Sequence, residues 1–80
     1  MIRVVITDDH ELIRSGFARL IEREEDLTLA AEAGDAAETF ETLEKEPCDV
    51  LVLDISLPDR SGLEVLKELQ GRFPRRCYDF

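Results

Sequence analysis

The sequence predicts an α/β fold in which helices flank a parallel sheet. Short apolar segments rich in β-branched residues alternate with longer segments whose apolar residues recur at helical spacing. The alternation runs strand, helix, strand, helix, strand, helix, which implies parallel strands joined by helical crossovers. The chain has 80 residues, enough for one small domain at most.

The first strand is predicted over residues 2–6, a β-branched run typical of buried parallel strands. It ends at Thr7, and a helical pattern begins after His10. One face of that helix is apolar, and we expect this face to pack against the sheet. Its residues are Leu12, Ile13, Gly16, Phe17, Leu20 and Ile21.

The second unit begins with a weaker strand at residues 27–33, which Gly34 ends. Asp35 is a suitable N-cap for the helix that follows, with Glu38 as the partner in a capping box. That helix must end before Pro47, because the residue preceding a proline disfavours the α conformation.

The third strand, at residues 49–55, has the strongest pattern, and the loop 56–60 follows it. Ser61 and Glu64 form a second capping-box pattern. The apolar residues of the third predicted helix are Leu63, Leu66, Leu69 and Phe73.

Composition excludes several classes of protein. The hydrophobic fraction of 44% and the charged fraction of 36% suit a soluble globular chain rather than a disordered or fibrous one. The net charge of −9 argues against binding to nucleic acid or to an anionic membrane. Cys48 and Cys77 lack metal-site spacing, and no apolar run could span a bilayer. We expect a cytoplasmic protein.

Three acidic residues follow predicted strands. Asp8 and Asp9 come after the first strand, and Asp54 lies at the end of the third. Parallel α/β sheets bind ligands at the carboxyl ends of their strands, so these side chains should converge. Converging carboxylates repel one another unless a cation lies between them, and Mg²⁺ prefers such oxygen ligands. A carboxylate can also act as the nucleophile that receives a phosphoryl group.

Each of these residues also has a structural interpretation. Asp8 or Asp9 could simply cap the first helix, although two adjacent acids exceed what a cap requires. Asp54 could be a turn residue at a strand end. For His10, a surface position in the first helical turn is favoured over a role as ligand or base.

Two segments resemble the receiver domain of response regulators: VVITDDH at residues 4–10 and DVLVLDISLPDRSGLE at residues 49–64. The set is specific as a whole, because it combines an Asp pair, an acceptor Asp, a Pro four residues later and a Gly eight residues later. The sequence ELIRSG at residues 11–16 resembles the subgroup that usually carries a LuxR-type helix-turn-helix output domain.

The resemblance implies a role for each matching residue. Asp54 would accept a phosphoryl group from a sensor histidine kinase or a phosphotransfer protein. Asp9 would bind Mg²⁺ directly, Asp8 directly or through water, and the backbone carbonyl of Ser56 would be a further ligand. Pro58 and Gly62 would shape the loop. The protein would not be an enzyme beyond self-phosphorylation and self-dephosphorylation.

The resemblance also implies a truncated flavodoxin-like sheet. A receiver has five βα units in the strand order 2-1-3-4-5, and this sequence matches three of them, over residues 1–74. The family's hydroxyl residue after strand four and Lys after strand five have no counterpart. Residues 75–80 carry too many charges for a central strand, and we expect a divergent tail. Strand 49–55 would then be an exposed edge, through which the chain would form a homodimer.

Two other functions compete with the receiver hypothesis. The chain could be a non-catalytic, self-associating interaction module, or a decoy that binds a kinase or regulator through its first helix. It could also be an unrelated Mg²⁺-dependent phosphatase, although such enzymes typically carry an Asp-x-Asp arrangement that this sequence lacks.

Overall fold

The structure is a computed structural model that describes residues 1–46, 48–72 and 77–79. The predicted α/β fold of three βα units is confirmed, and a short fourth strand follows them. The elements are β1 (Ile2–Thr7), α1 (Glu11–Glu22), β2 (Leu27–Ala33), α2 (Ala36–Lys45), β3 (Val50–Leu53), α3 (Gly62–Arg72) and β4 (Cys77–Asp79).

The sheet is parallel, with the strand order β2-β1-β3-β4. The chain runs from β1 outward to β2 and then returns to the other side of β1 to form β3. This reversal creates a switch point between β1 and β3, where α/β sheets of this type bind ligands. Thr7 pairs with Leu53, so the two strands end at the same level.

Alternate residues of the strands point to opposite faces of the sheet. One face, which we call the closed face, carries Val5, Leu51 and Leu53 and is covered by α2 and α3. The other, which we call the open face, carries Val4, Ile6, Val50 and Val52 and is covered by α1 through Ile21. Within the described residues, no helix is long and apolar enough to cross a membrane.

Helix α2 begins as predicted, because the Asp35 side chain accepts a hydrogen bond from the Glu38 N–H at 2.8 Å. The return bond of the capping box differs from the prediction. The Glu38 carboxylate accepts from the Gly34 N–H at 3.0 Å, one residue before the cap. At α3, the Ser61 hydroxyl accepts from the Leu63 N–H, whereas the Glu64 carboxylate lies 3.9 Å from the Arg60 guanidinium.

The prediction that strand 49–55 is an exposed edge is wrong. Residues 77–79 form β4, and this strand pairs with β3 from Val50 to Val52. Strand β3 is therefore not an edge, and a homodimer through residues 49–55 loses its basis. The charged character of this segment did not prevent a strand at residues 77–79, because β4 lies at the edge of the sheet and edge strands commonly carry charged residues.

The predicted burial of the α1 apolar face is also wrong for most of its length. Ile21 is buried, whereas Leu12 is 88% exposed and Leu20 is 58% exposed. Among the described residues, α1 packs chiefly on β1 and β2, and the side chains on the rest of its surface face solvent. Pro47, residues 73–76 and Phe80 lie outside the described residues. The Phe73 position in α3 and the boundary after Pro74 stay predictions.

Candidate functional site

Backbone hydrogen bonds fix the ends of β1 and β3 side by side. The Asp54 N–H donates to the Thr7 carbonyl at 2.9 Å, one residue beyond the β3 strand. On the other side of β1, the Asp8 N–H donates to the Ala33 carbonyl at 3.0 Å. Asp8 and Asp54 therefore leave the sheet from backbone positions that the sheet itself holds.

The structure brings the three predicted carboxylates together. One ligand atom each from Asp8, Asp9, His10 and Asp54 can be chosen so that all four lie within 4.8 Å of one another. Asp8 and Asp54 are half-buried, while Asp9 is exposed. The cluster thus has two members anchored at the sheet and a side open to solvent.

His10 belongs to this cluster, which the sequence did not indicate. It is exposed, as expected, and is the N-cap residue of α1, but its Nδ1 lies 3.0 Å from Asp8 Oδ1 and 3.0 Å from Asp9 Oδ1. The hydrogen bond that the imidazole donates to the Asp8 carboxylate, together with the nearby charge of Asp9, raises the pKa of His10. The only available signal was its position directly after the Asp pair.

The loop after Asp54 is short and closed at its base. The Ser56 N–H donates to Asp54 Oδ1 at 3.1 Å, and Ser56 forms an isolated antiparallel bridge with Ser61. The Gly62 N–H donates to the Ile55 carbonyl at 2.6 Å. The carboxylate of Asp54 is thus oriented by an N–H of its own loop.

Gly62 brings α3 close to this loop. A Cβ at position 62 would overlap the Asp54 carbonyl oxygen and lie 2.7 Å from Ile55 Cα. Only glycine allows this approach without a backbone shift, and the loop-shaping role of Gly62 stays a prediction. Pro58 is exposed on the same loop, and its role and that of the Ser56 carbonyl stay predictions.

Asp59 is a residue of the site region that sequence reasoning missed. Its Oδ1 accepts from the Ala36 N–H at 2.9 Å, and its Oδ2 accepts from the Ala37 N–H at 3.1 Å. The hydrogen bond from Ala36, with a smaller contribution from Ala37, lowers the pKa of the Asp59 carboxyl. The loop after Asp54 is therefore attached to the N-terminus of α2.

A cavity of about 250 Å³ opens beside the acidic cluster. Asp8 and Asp54 lie on its wall together with the apolar side chains of Phe17, Val52 and Ile55. The cavity therefore borders the open face of the sheet, and the acidic cluster is reached from that side.

The donor set is suitable for a small divalent cation. Mg²⁺ takes oxygen ligands at about 2.0–2.1 Å, so ligands on opposite sides of the ion are about 4 Å apart. The three carboxylates offer oxygens within the 4.8 Å span of the cluster. Carboxylates that are already gathered at one rim need only a small adjustment to share one ion.

Comparison with known proteins gives a consistent result. Residues 4–76 match the response regulator receiver domain family. The chain is 46% identical over 69 residues to the transcriptional regulatory protein UhpA of Escherichia coli, a match that covers 86% of this chain and 35% of UhpA. The chain spans about a third of the length of the curated relatives that it matches.

Solved structures agree with the sequence relatives. A LuxR-family two-component response regulator from Aurantimonas has a TM-score of 0.91 and 31% identity, with 98% of this chain and 56% of that chain covered. The isolated REC domain of RcsB from Salmonella enterica, solved in the presence of the phosphomimetic BeF3-, has a TM-score of 0.91 and 26% identity. That match covers 96% of this chain and 58% of that chain.

Proposed function

The chain belongs to the response regulator receiver domain family, whose members act as phosphoryl acceptors in phosphorelay signalling, and from this premise we propose that Asp54 is its phosphoryl acceptor. The observation that carries the proposal is the gathering of Asp8, Asp9 and Asp54 within one acidic cluster at the switch point of the sheet. A nucleophilic carboxylate beside further carboxylates is the arrangement that metal-assisted phosphoryl transfer requires.

The proposed step exchanges one bond to phosphorus for another. A carboxylate oxygen of Asp54 forms a bond to the phosphorus atom of the donor. The bond between phosphorus and the leaving group of the donor breaks, and its electron pair stays with the leaving group. The leaving group is the imidazole of a phosphohistidine or the acetate of acetyl phosphate. The product is an aspartyl phosphate, and a departing imidazole takes its proton from solvent.

We propose that the carboxylates of Asp8, Asp9 and Asp54 and the carbonyl of Ser56 hold Mg²⁺. When bound, this ion offsets the negative charge of the carboxylates and of the incoming phosphoryl group. The chain fixes where these carboxylates lie before the phosphoryl donor arrives, because backbone hydrogen bonds of the sheet hold Asp8 and Asp54. The Ser56 N–H holds one oxygen of Asp54 and leaves the other for attack.

The phosphoryl donor in the cell is proposed to be a sensor histidine kinase or a phosphotransfer protein, in the cytoplasm. The only chemistry proposed for the chain itself is self-phosphorylation from small donors and self-dephosphorylation. UhpA is named a transcriptional regulatory protein, and we propose the same output for the signalling in which this chain takes part. A purely non-catalytic interaction module is not better supported than the receiver function.

Incubation with acetyl phosphate and Mg²⁺, read by intact mass, tests the proposal. We expect the parent to gain one phosphoryl group and Asp54→Asn to gain none. Asp49→Asn is the matched control, because it makes the same substitution at the other end of the same strand, where Asp49 accepts a hydrogen bond from the Arg3 N–H. Labelling of Asp54→Asn, or none in a folded parent, contradicts the proposal. Removal of Mg²⁺ by a chelator should abolish labelling.

A further inference from the structure

Two hydrogen bonds join the loop that follows Asp54 to a helix distant in sequence. Both carboxylate oxygens of Asp59 accept from the first N–H groups of α2, at 2.9 Å from Ala36 and 3.1 Å from Ala37. We propose that Asp59 is a positioning residue for phosphoryl transfer, which clamps the β3–α3 loop onto α2 and so fixes Asp54 and Ser56. This inference rests on the proposed role of Asp54.

The attachment point on α2 is anchored in the core. The first N–H groups of a helix have no partners within the helix and bind carboxylates well. Asp35 takes the N–H of Glu38, while Asp59 takes those of Ala36 and Ala37. Ala36 is fully buried in the closed-face core. Asp59 thus ties an exposed loop to a point that the core holds still.

The same helix end also holds the other side of the acidic cluster. Thr39 Oγ1 donates to the Asp35 carbonyl at 2.7 Å, so the 2.8 Å contact between the two buried hydroxyls must be a donation from Thr7 to Thr39. Thr7 directly precedes Asp8. The first turn of α2 therefore contacts the end of β1, through Thr39 and Thr7, and the tip of the loop that follows β3, through Asp59.

A path of contacts leads from Asp59 back to the Asp54 carboxylate. The loop base is fixed by the Ser56–Ser61 bridge, and the Ser56 N–H holds Asp54 Oδ1. The tip of the loop, where Asp59 lies, is held by α2. Release of the tip leaves Ser56, and with it the orientation of Asp54, held only from the base of the loop. Because a displacement of 1 Å can cost about a hundredfold in rate, we expect a clear kinetic effect of about tenfold.

The test compares two alanine substitutions at the same helix end. Asp59→Ala and Asp35→Ala each remove a carboxylate that caps α2, and each should lower the midpoint of thermal unfolding. Only Asp59→Ala releases the loop, so it alone should slow labelling by acetyl phosphate, by about tenfold. Asp35→Ala should keep the parent rate at a temperature where both variants are folded. Asp59→Asn keeps one acceptor oxygen and should restore part of the rate.

A second readout does not depend on phosphorylation. Amide hydrogen exchange at Ser56 should be faster in Asp59→Ala than in Asp35→Ala, while exchange in the middle of α2 should be equal. Equal labelling rates and equal Ser56 exchange in the two variants overturn the positioning role and leave Asp59 as a helix cap only.

The failure of the proposed function is distinguishable from the failure of this inference. If the parent itself is not labelled, Asp54 is not shown to be an acceptor, and the role of Asp59 is decided by Ser56 exchange and by the affinity for Mg²⁺. Faster exchange and weaker Mg²⁺ binding confined to Asp59→Ala support the clamp, and parent values overturn it. If Asp59→Ala does not fold, Asp59→Asn is judged by the same criteria.

Discussion

The two faces of the sheet are covered unequally. On the closed face, α2 and α3 pack over β1 and β3, and Leu43, Val65 and Leu69 are at most 1% exposed. On the open face, α1 alone covers the sheet within the described residues, and Val50 and Val52 stay only partly buried. The difference shows that an apolar helix face is buried only where another element packs against it.

The acidic cluster lies on the boundary between these faces. Its supports come from the closed face, through the contact of Thr7 with Thr39 of α2, the hydrogen bonds of Asp59 to α2 and the close approach of Gly62. Its cavity borders the open face and includes Phe17. A site built in this way has fixed carboxylates on one side and access for a donor on the other, which suits preorganised phosphoryl transfer.

The largest expected effect is a contrast between two leucine-to-alanine substitutions. Leu69 on α3 is 0% exposed and Leu20 on α1 is 58% exposed. Leu69→Ala should lower the free energy of unfolding by about 2–5 kcal/mol, because a buried leucine leaves a cavity. Leu20→Ala should change it by no more than about 0.5 kcal/mol, as at other surface positions. Urea unfolding followed by circular dichroism measures both.

The two substitutions show whether the buried closed face contributes more to the free energy of unfolding than the exposed face of α1 does. A cost for Leu20→Ala equal to that of Leu69→Ala would mean that α1 is covered in solution, for example by a second molecule. Because a domain of this size buries only about 60% of its unfolded surface, Leu69→Ala should leave little residual stability. Light scattering at the same concentrations is the control for association.

The sequence predicted the features that local pattern determines. The three βα units, the Asp35 cap and the positions of Asp8 and Asp54 at strand ends all follow from nearby residues. It missed the features that depend on distant partners. The exposure of α1 depends on what lies over it, and the partners of Asp59 are 22 and 23 residues away. Strand β4 was missed because a charged segment was judged as a central strand rather than as an edge.

A smaller effect is expected at the buried hydroxyl pair. Thr39→Val leaves the Thr7 hydroxyl buried without its acceptor, which should cost about 1–3 kcal/mol. Thr7→Val leaves Thr39 with its bond to the Asp35 carbonyl, and should cost only about 0.5–1.5 kcal/mol. The double variant should cost less than the sum, since no buried hydroxyl is then left unpaired. Additive costs in a double-mutant cycle would show that the two hydroxyls do not interact.

The smallest expected effect is the acid dependence of stability at Asp59, which is exposed. Its pKa is lowered in the folded protein, chiefly by the Ala36 N–H, so the unfolded chain binds the proton more readily. The stabilisation by Asp59 is therefore present above the ordinary Asp pKa of about 3.9 and is lost as pH falls through the folded value. Urea unfolding from neutral pH into the acid range should show the parent more stable than Asp59→Asn, with the difference shrinking at the acid end.

Asp59→Ala and Asp59→Asn both lack the titrating carboxyl, so the difference in stability between these two variants should not follow pH. If the parent stays more stable than Asp59→Asn by the same amount at the acid end, the hydrogen bonds from Ala36 and Ala37 to Asp59 do not depend on the charge of its carboxyl.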